Sequence, residues 1–172
     1  MEEVILVDEH DVPLGTMEKL QAHELGLLHR AFSVLIFNSQ GELLLQQRAE
    51  GKYHSGGLWT NTCCSHPRPD ESMSDAVKRK LHQEMGLQSE THFAFSFIYQ
   101  AQLDNDLTEH ELDHVYIGYD DSLPLLNPEE AKDYKYLSID NIQQEIKSNP
   151  NSFTEWFKIL IQHPSLRPVT IL

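Results

Sequence analysis

One continuous stretch, residues 58–87, constrains the fold of this chain more than any other part of the sequence. It reads LWTNTCCSHPRPDESMSDAVKRKLHQEMGL and contains both cysteines of the chain. Its second half predicts a helix, because apolar residues recur there at helical spacing: Ala76, Val77, Leu81 and Met85. Ser72 suits the N-cap of this helix, and Gly86 suits a helix end that requires a positive φ. The stretch therefore predicts a strand end with a thiol and an imidazole, then a loop, then a helix.

The polar side chains of this stretch each have an ordinary structural interpretation that competes with a functional one. A single cysteine such as Cys64 is more often a small buried apolar residue than a nucleophile. Lys80 and Glu84 lie one helical turn apart, and such pairs usually belong to a solvated surface. His66 follows Cys64 by two residues, so both side chains face the same way in an extended segment. That arrangement leaves a Cys-His nucleophile pair as one alternative.

The balance of charge excludes several classes of protein. The chain has 172 residues, with 27 Asp and Glu against 13 Lys and Arg, which gives a formal net charge of −14. This balance argues against nucleic-acid binding, which favours a basic stripe, and gives no reason for adhesion to anionic membranes. No apolar run approaches the roughly 18 residues of a membrane span, and the N-terminus lacks the features of a signal peptide.

Cysteine usage and length predict the compartment and the domain organisation. The adjacent residues Cys63 and Cys64 make a poor disulfide framework, and free thiols persist in a reducing compartment. We therefore predict a cytoplasmic protein without a membrane, nucleic-acid or obligate protein partner. The length predicts one domain over residues 1–172, because such a chain can bury a full core without disulfide or metal cross-links.

Strand patterns dominate the middle of the chain, and helix patterns flank them. Two short apolar runs around Pro13 predict an N-terminal hairpin, and residues 19–28 predict a short helix and a loop interrupted by Gly26. Further strands are predicted at residues 30–38, 43–48, 91–103, 109–119 and 134–139, and helices at residues 140–149 and 152–163. This order predicts an α/β (α+β) fold in which a β-sheet sandwich is flanked by helices.

Ten histidines and many carboxylates provide material for a metal site. His23 and His29 are six residues apart, which would put them on different faces of a regular helix. Spacing alone therefore does not make them joint ligands. Alternation along the predicted strand places Glu109 and Glu111 on one face and His110 on the other.

The segment from Ser65 onward resembles a degraded Nudix box, whose pattern is G-x5-E-x7-R-E-U-x-E-E-x-G-U with U aliphatic. The matching residues are Glu71, Arg79, Leu81, Glu84, Gly86 and Leu87. The opening glycine is replaced by Ser65, and two of the glutamates are replaced by Lys80 and Gln83. Nudix pyrophosphohydrolases use these glutamates to hold divalent ions that activate water, so the replacements weigh against hydrolysis. The resemblance implies a Nudix-type sheet sandwich, here with extra N-terminal strands and C-terminal helices.

A more specific resemblance, to the type I isopentenyl diphosphate isomerases, covers almost the whole chain. The segment WTNTCCSHP matches the W-T-N-x-x-C-x-H-P motif of that Nudix-fold family, and Cys64 falls on its catalytic cysteine. Further motifs occur in the family's order: QAHELGLLHRAFSVLIFN, LLLQQRAEGK, THFAFSFIYQA, EHELDHVY and SFTEWF. The chain departs from the pattern where His29 follows His23 by six residues instead of seven, and where Lys80 replaces an arginine.

The resemblance implies a 1,3-allylic proton shift that interconverts isopentenyl diphosphate and dimethylallyl diphosphate. It implies an acid–base pair on opposite faces of the alkene, Cys64 and Glu111, with Tyr99 assisting the glutamate. It gives Trp156 the role of a π face that stabilises a carbocation, although an aromatic residue at helical spacing is more often core. The implied metal ligands are His23, His29, His66, Glu109 and Glu111. The basic residues that together suit a diphosphate clamp are Lys19, Arg48, Lys52 and Lys80.

The implied cofactors are divalent cations, without a flavin. Three imidazoles and two carboxylates suit one tightly bound first-row ion such as Zn²⁺ or Mn²⁺, with Mg²⁺ as a further candidate. A Mg²⁺ that bridges the substrate phosphates would take Glu84 as its protein ligand. The other histidines match no motif and are expected to be structural: His10, His54, His82, His92, His110, His114 and His163.

Two other functions compete with the isomerase. One is a Nudix pyrophosphohydrolase that acts on an organic diphosphate, against which Lys80 and Gln83 count. The other is a non-catalytic binding module stabilised by a metal, which leaves Cys64 and Trp156 unexplained. The isomerase hypothesis predicts a small isoprenoid diphosphate as the partner molecule of this chain.

Overall fold

The computed structural model describes residues 1–166, and within them nine strands form one mixed sheet. The strands are β1 Glu3–Val7, β2 Pro13–Glu18, β3 His29–Phe37, β4 Leu43–Arg48, β5 Trp59–Thr60, β6 Cys63–Ser65, β7 Thr91–Gln102, β8 Thr108–Tyr119 and β9 Ala131–Leu137. The helices are α1 Lys19–Leu25, α2 Met73–Met85, α3 Ile139–Ser148 and α4 Glu155–Leu160, with a 3₁₀ turn at Pro150–Ser152. No helix in the described part of the chain is long and apolar enough to cross a membrane.

Strand β3 lies at the centre of the sheet, because it pairs with four other strands. It runs parallel to β8 and antiparallel to β1, β4 and β6. The register places His29 opposite Glu111 and Ser33 opposite Cys64. On the far side of β8, Tyr99 of β7 also lies opposite Glu111. Side chains that are distant in sequence therefore meet near the start of β3.

Helices cover both faces of the sheet, which confirms the predicted sandwich of mixed α/β class. On one face, α3 and α4 contribute Ile142 and Phe157 to a core that includes Leu35 and Val115 of the sheet. On the other face, α2 buries its apolar stripe against Phe32, Val34 and Leu44. Strand β3 is buried along most of its length, as expected for a strand covered on both sides.

Helix α2 forms as its local sequence predicts. Ser72 precedes it, and the Ser72 Oγ accepts a hydrogen bond from the Asp75 backbone N–H at 3.1 Å. Gly86 ends it in the left-handed conformation, with φ 65°. Lys80 and Glu84 form the predicted pair one turn apart, with 3.3 Å between nitrogen and oxygen. Both ends of the helix are therefore set by individual residues.

Replacing Ser72 by alanine is expected to lower the free energy of unfolding by about 1 kcal/mol, because an N–H of the first turn loses its partner. Ser74 is the matched control, since it is exposed on the same helix and its side chain caps nothing. Urea unfolding followed by circular dichroism measures both variants. An equal loss of stability in Ser72→Ala and Ser74→Ala would contradict the capping role.

The C-terminal elements differ from the sequence prediction in their boundaries. The predicted strand at residues 134–139 is Ala131–Leu137, because Ser138 already caps α3. The predicted helix at residues 152–163 is limited to Glu155–Leu160. Phe153 is extended, with φ −123°, and Thr154 caps α4 with its side chain. A buried aromatic side chain therefore interrupts what the apolar spacing predicts as one helix.

Candidate active site

The residues proposed for the site converge on one pocket near the start of β3. The pocket is narrow and partly open to solvent. Its walls include most of the proposed residues: Lys19, His23, Arg48, Lys52, Cys64, His66, Lys80, Glu84, Glu109, Glu111 and Trp156. The other two, His29 and Tyr99, are buried beside the wall and contact Glu111. The fold therefore brings the whole proposed set together.

His23 and His29 lie side by side because α1 ends between them, although their spacing in the sequence did not predict that they would be neighbours. Gly26 follows α1 in the left-handed conformation, with φ 65°, and the chain then turns into β3. The rings of His23 and His29 are 5.0 Å apart between centroids. Each ring donates from Nδ1 to a backbone carbonyl at 2.8 Å, His23 to Lys19 and His29 to Leu27. These bonds leave each Nε2 with the lone pair that binds metals.

Four buried side chains form a cluster with the geometry of a metal site. The ligand atoms of His23, His29, His66 and Glu111 lie within 4.8 Å of one another. His29 Nε2 is 3.2 Å from His66 Nε2 and 3.1 Å from Glu111 Oε2, and His66 Nε2 is 2.7 Å from the same oxygen. Neighbouring ligands at bonds of about 2.1 Å lie about 3 Å apart around an ion. Burial lowers the pKa of His23 to about 4, which keeps its ring neutral as a ligand must be.

Glu109 and Glu111 share one face of β8, as alternation predicts. The Tyr99 hydroxyl bridges them, contacting Glu109 Oε1 and lying 2.6 Å from Glu111 Oε1. Burial acts to raise the pKa of Glu111, but the hydrogen bonds from His29 and His66 outweigh it and hold that pKa well below its usual range. Burial and the neighbouring charge of Glu111 raise the pKa of Glu109 well above its usual range. Glu111 is therefore the more acidic carboxyl of the pair.

The two cysteines occupy different environments. Cys63 is fully buried in the core beneath α2, beside Val77 and Leu81. Cys64 packs against the opposite core and lines the pocket. Burial raises the pKa of the Cys64 thiol well above its usual range, although Arg48 acts in the opposite direction. Cys64 is therefore a neutral thiol that retains its proton.

Trp156 places an aromatic face in the pocket wall. It is 3 % exposed, and the Arg48 guanidinium carbon lies 5.1 Å from its ring centroid. The His54 ring meets it edge-on, with 5.6 Å between centroids. Trp156 Nε1 is buried and has no hydrogen-bond partner among the described residues. The indole therefore contacts the pocket through its ring instead of through a polar bond.

The basic residues of the pocket are already paired within the protein. Three lysines contact carboxylates: Lys19 with Glu2 at 2.8 Å, Lys52 with Glu130 at 2.5 Å and Lys80 with Glu84 at 3.3 Å. Arg48 donates from Nη2 to the His54 carbonyl at 3.0 Å. A bound anion can take over these donors, because each cation has further N–H groups to offer.

Four pocket residues were not proposed as site residues from the sequence: Glu2, Tyr53, His54 and Ser65. His54 is 5 % exposed, and it belongs with His23 and Glu109 to a second group of side chains that could hold a cation. Burial lowers the pKa of His54 to about 3, so the ring is neutral. His54, which was expected to be structural, is therefore part of the pocket wall, and a functional role for it stays untested. No family motif or spacing marks it, and only the count of histidines gave a signal.

The sequence matches one family and a set of curated relatives. The NUDIX domain family matches residues 27–157. An "Isopentenyl-diphosphate Delta-isomerase" of Pectobacterium atrosepticum is 56 % identical over 157 residues, which cover 91 % of this chain and 88 % of that protein. An "Isopentenyl-diphosphate Delta-isomerase 2" of Photorhabdus laumondii is 45 % identical and covers 98 % of this chain and 96 % of its own length.

Solved structures of low sequence identity share the fold. A crystal structure of a Deinococcus radiodurans protein superposes with a TM-score of 0.79 at 18 % identity, covering 94 % of this chain and 98 % of that one. A MutT protein of Methanosarcina mazei gives a TM-score of 0.64 at 21 % identity, covering 78 % of this chain and 91 % of its own. These similarities support the predicted Nudix-type sandwich.

Proposed function

This chain belongs to the NUDIX domain family and, within it, to the isopentenyl-diphosphate Delta-isomerases, and from that premise we propose a reaction for its pocket. The enzyme interconverts isopentenyl diphosphate and dimethylallyl diphosphate by protonating and deprotonating an alkene. The observation that carries this assignment is that Cys64 and Glu111 line one pocket, where the environment raises the pKa of the thiol and lowers that of the carboxyl. Those two directions suit an acid and a base at the start of a proton shift.

The reaction adds one proton to a carbon and removes a different proton from the carbon two positions further along the substrate. Cys64 gives its proton to the terminal alkene carbon, and the positive charge falls on the central tertiary carbon. Glu111 removes a proton from the carbon that lies between this tertiary carbon and the carbon bearing the diphosphate oxygen, and the new double bond joins that carbon to the tertiary carbon. In the opposite direction the same two groups exchange roles. The enzyme returns to its starting state when Glu111 releases the proton that it took and Cys64 takes one up, so the number of protons in enzyme and substrate is unchanged.

The aromatic wall is proposed to protect the cationic intermediate. A tertiary carbocation cannot accept a hydrogen bond, so the Trp156 ring stabilises it through the negative face of its π system. Such contacts contribute about 0.5–2 kcal/mol, with the larger values in dry sites. The burial of Trp156 also keeps water from trapping the cation. Tyr99 holds the Glu111 carboxylate in place from the neighbouring strand β7.

The metal ligands are proposed to be His23, His29, His66, Glu109 and Glu111. Three nitrogen and two oxygen donors suit Zn²⁺ or Mn²⁺ in a high-coordination shell. When bound, the cation balances the charge of Glu111 and fixes the orientation of its carboxylate. Glu109, which Tyr99 links to Glu111, completes the donor set after losing its proton.

The substrate diphosphate is proposed to bind at the basic side of the pocket. Arg48 at the end of β4 and Lys52 in the loop that follows offer N–H donors, and Lys19 and Lys80 lie on α1 and α2. Glu84 offers a carboxylate oxygen to a Mg²⁺ bound by the phosphates.

Because Cys64 needs a free thiol and the two cysteines are unpaired, we assign the enzyme to the cytoplasm.

Incubation of the enzyme with isopentenyl diphosphate in D₂O is expected to place deuterium in both isopentenyl and dimethylallyl diphosphate. Each turnover exchanges a carbon-bound proton of the substrate with Cys64 or Glu111. Mass spectrometry of both isomers measures the label. The same samples are assayed for released phosphate, which is expected to stay at the background level. Unlabelled isomers would overturn the proton shift, and phosphate release with diphosphate consumption would indicate the hydrolase instead.

A further inference from the structure

Three residues of the pocket wall form a second group that could hold a cation. The ligand atoms of His23, His54 and Glu109 lie within 4.8 Å of one another, and all three residues line the pocket. We call these three residues the outer group. The inner group is the cluster described above: His23, His29, His66 and Glu111. His23 therefore belongs to both groups, whereas His54 belongs only to the outer group.

His23 can bind only one ion at a time. Its Nδ1 donates a hydrogen bond to the Lys19 carbonyl at 2.8 Å, so only its Nε2 has a lone pair for a metal. An ion in the inner group and an ion in the outer group would compete for that nitrogen. The two groups are therefore two positions of a single ion. The inner position is the stronger one, because it supplies more donors.

An ion that enters through the pocket reaches the outer group first. All members of the outer group line the pocket, whereas His29 of the inner group is fully buried behind the pocket wall. His54 lies in the loop between β4 and β5, and its ring is 6.0 Å from the His23 ring between centroids. The two groups therefore lie in sequence along one path from the pocket to the buried site.

Several contacts hold His54 in the pocket wall. Its Nδ1 lies 3.0 Å from Ser55 Oγ, and its carbonyl accepts a hydrogen bond from Arg48 Nη2 at 3.0 Å. Ser55 takes a positive φ of 54°, which is uncommon for serine, and its N–H donates to Asp104 Oδ1 at 3.0 Å. His54 is therefore a buried ring that the fold fixes beside the metal site.

We propose that His54 is an entry ligand for the tightly bound divalent cation. The cation binds first to His23, His54 and Glu109, whose imidazole and carboxylate donors suit a first-row ion such as Zn²⁺. It then moves inward, exchanging His54 and its remaining water for the other inner ligands. His23 and Glu109 stay bound throughout, so the ion is never buried without protein donors, which would be costly. This inference rests on the metal site proposed above.

Release of Zn²⁺ from the loaded enzyme into excess chelator tests the entry ligand. Release retraces the path of entry, so losing an entry ligand slows release and uptake equally and leaves the dissociation constant unchanged. We expect both rates to fall at least about tenfold in His54→Phe and in His54→Leu. A chromophoric zinc indicator follows release, extrapolated to zero chelator, and uptake by the metal-free chain. The two variants differ in size, and thermal unfolding reports the folding of each.

Tyr53→Phe is the matched control. Tyr53 lines the same pocket and meets the His54 ring edge-on, with 4.3 Å between centroids, but it belongs to neither group of possible ligands. Its substitution removes one polar atom from the pocket wall and retains the ring. Both rates should therefore stay at those of the unmodified chain.

The direction of the change in release separates the outcomes. Faster release with weaker binding would overturn the entry role, because it would make His54 a permanent ligand or a structural support. Unchanged rates, or equal slowing in Tyr53→Phe, would also overturn it. A chain that retains no stoichiometric ion would overturn the proposed metal site itself. Slower release and uptake in the His54 variants alone, with unchanged affinity, supports the entry ligand.

Discussion

Replacing Cys64 by alanine is expected to lower kcat for isomerisation at least about 10³-fold, within the range that general acid–base catalysis contributes. The half-buried side chain lines the pocket, and its thiol is the acid of the proposed reaction. Removing it leaves the basic residues that bind the diphosphate in place. KM should therefore change by less than about threefold, because the lost interaction belongs to the transition state.

The neighbouring cysteine provides a matched control. Cys63→Ala removes the same atoms one residue earlier, but from the core beneath α2 instead of the pocket. This variant should lose about 1 kcal/mol of stability from the small cavity and retain kcat within a few-fold. Steady-state kinetics with thermal unfolding separates the two effects. Near-normal turnover by Cys64→Ala, or equal losses in both variants, would remove the thiol from the mechanism.

Helix α2 shows which parts of the fold are predictable from sequence. Its start and end depend on Ser72 and Gly86, whose effects act on their own backbone, and both are observed as predicted. The interruption before α4 has no such local cause. Phe153 is 2 % exposed and lies in a parallel bridge with Trp59. A contact across the fold keeps that residue extended, and apolar spacing cannot reveal it.

The candidate site likewise contains residues that local sequence patterns bring together and residues that they do not. Alternation alone placed Glu109 and Glu111 together, and the structure agrees because both lie on one regular strand. The pairing of His23 and His29 needed the family resemblance, since the turn at Gly26 separates a helix from a strand and no helical spacing applies. The roles proposed for these side chains stay predictions until variants are measured.

His54 was missed because only distant parts of the chain bring it into the pocket. Its segment is held by a hydrogen bond from the Ser55 backbone N–H to Asp104 Oδ1 at 3.0 Å, in the turn between β7 and β8. Arg48 holds the His54 carbonyl from the end of β4. Neither contact has a counterpart in local sequence, so the histidine resembles any other loop residue until the sheet is assembled.

Replacing Glu111 by glutamine is expected to lower kcat at least about 10²-fold and to reduce the tightly bound divalent ion to a small fraction of one per chain. The amide keeps the size of the side chain but removes the base of the proposed reaction. It also removes a negative oxygen from a cluster in which Glu111 Oε2 contacts both His29 and His66. Loss of one ligand commonly costs metal sites far more than loss of an outer hydrogen bond.

Asp113→Asn is the control that separates this effect from the loss of any buried carboxyl on β8. Asp113 lies two residues further along β8 and is 2 % exposed. Its carboxylate is not among the clustered ligand atoms that could hold a metal ion. Burial raises the pKa of Asp113 to about 8, so its carboxyl is largely neutral at pH 7 and an amide replaces a neutral group. Its turnover and metal content should stay within a few-fold of the unmodified chain. Elemental analysis after dialysis and steady-state kinetics measure both variants, and equal behaviour of Glu111→Gln and Asp113→Asn would contradict the special role of Glu111.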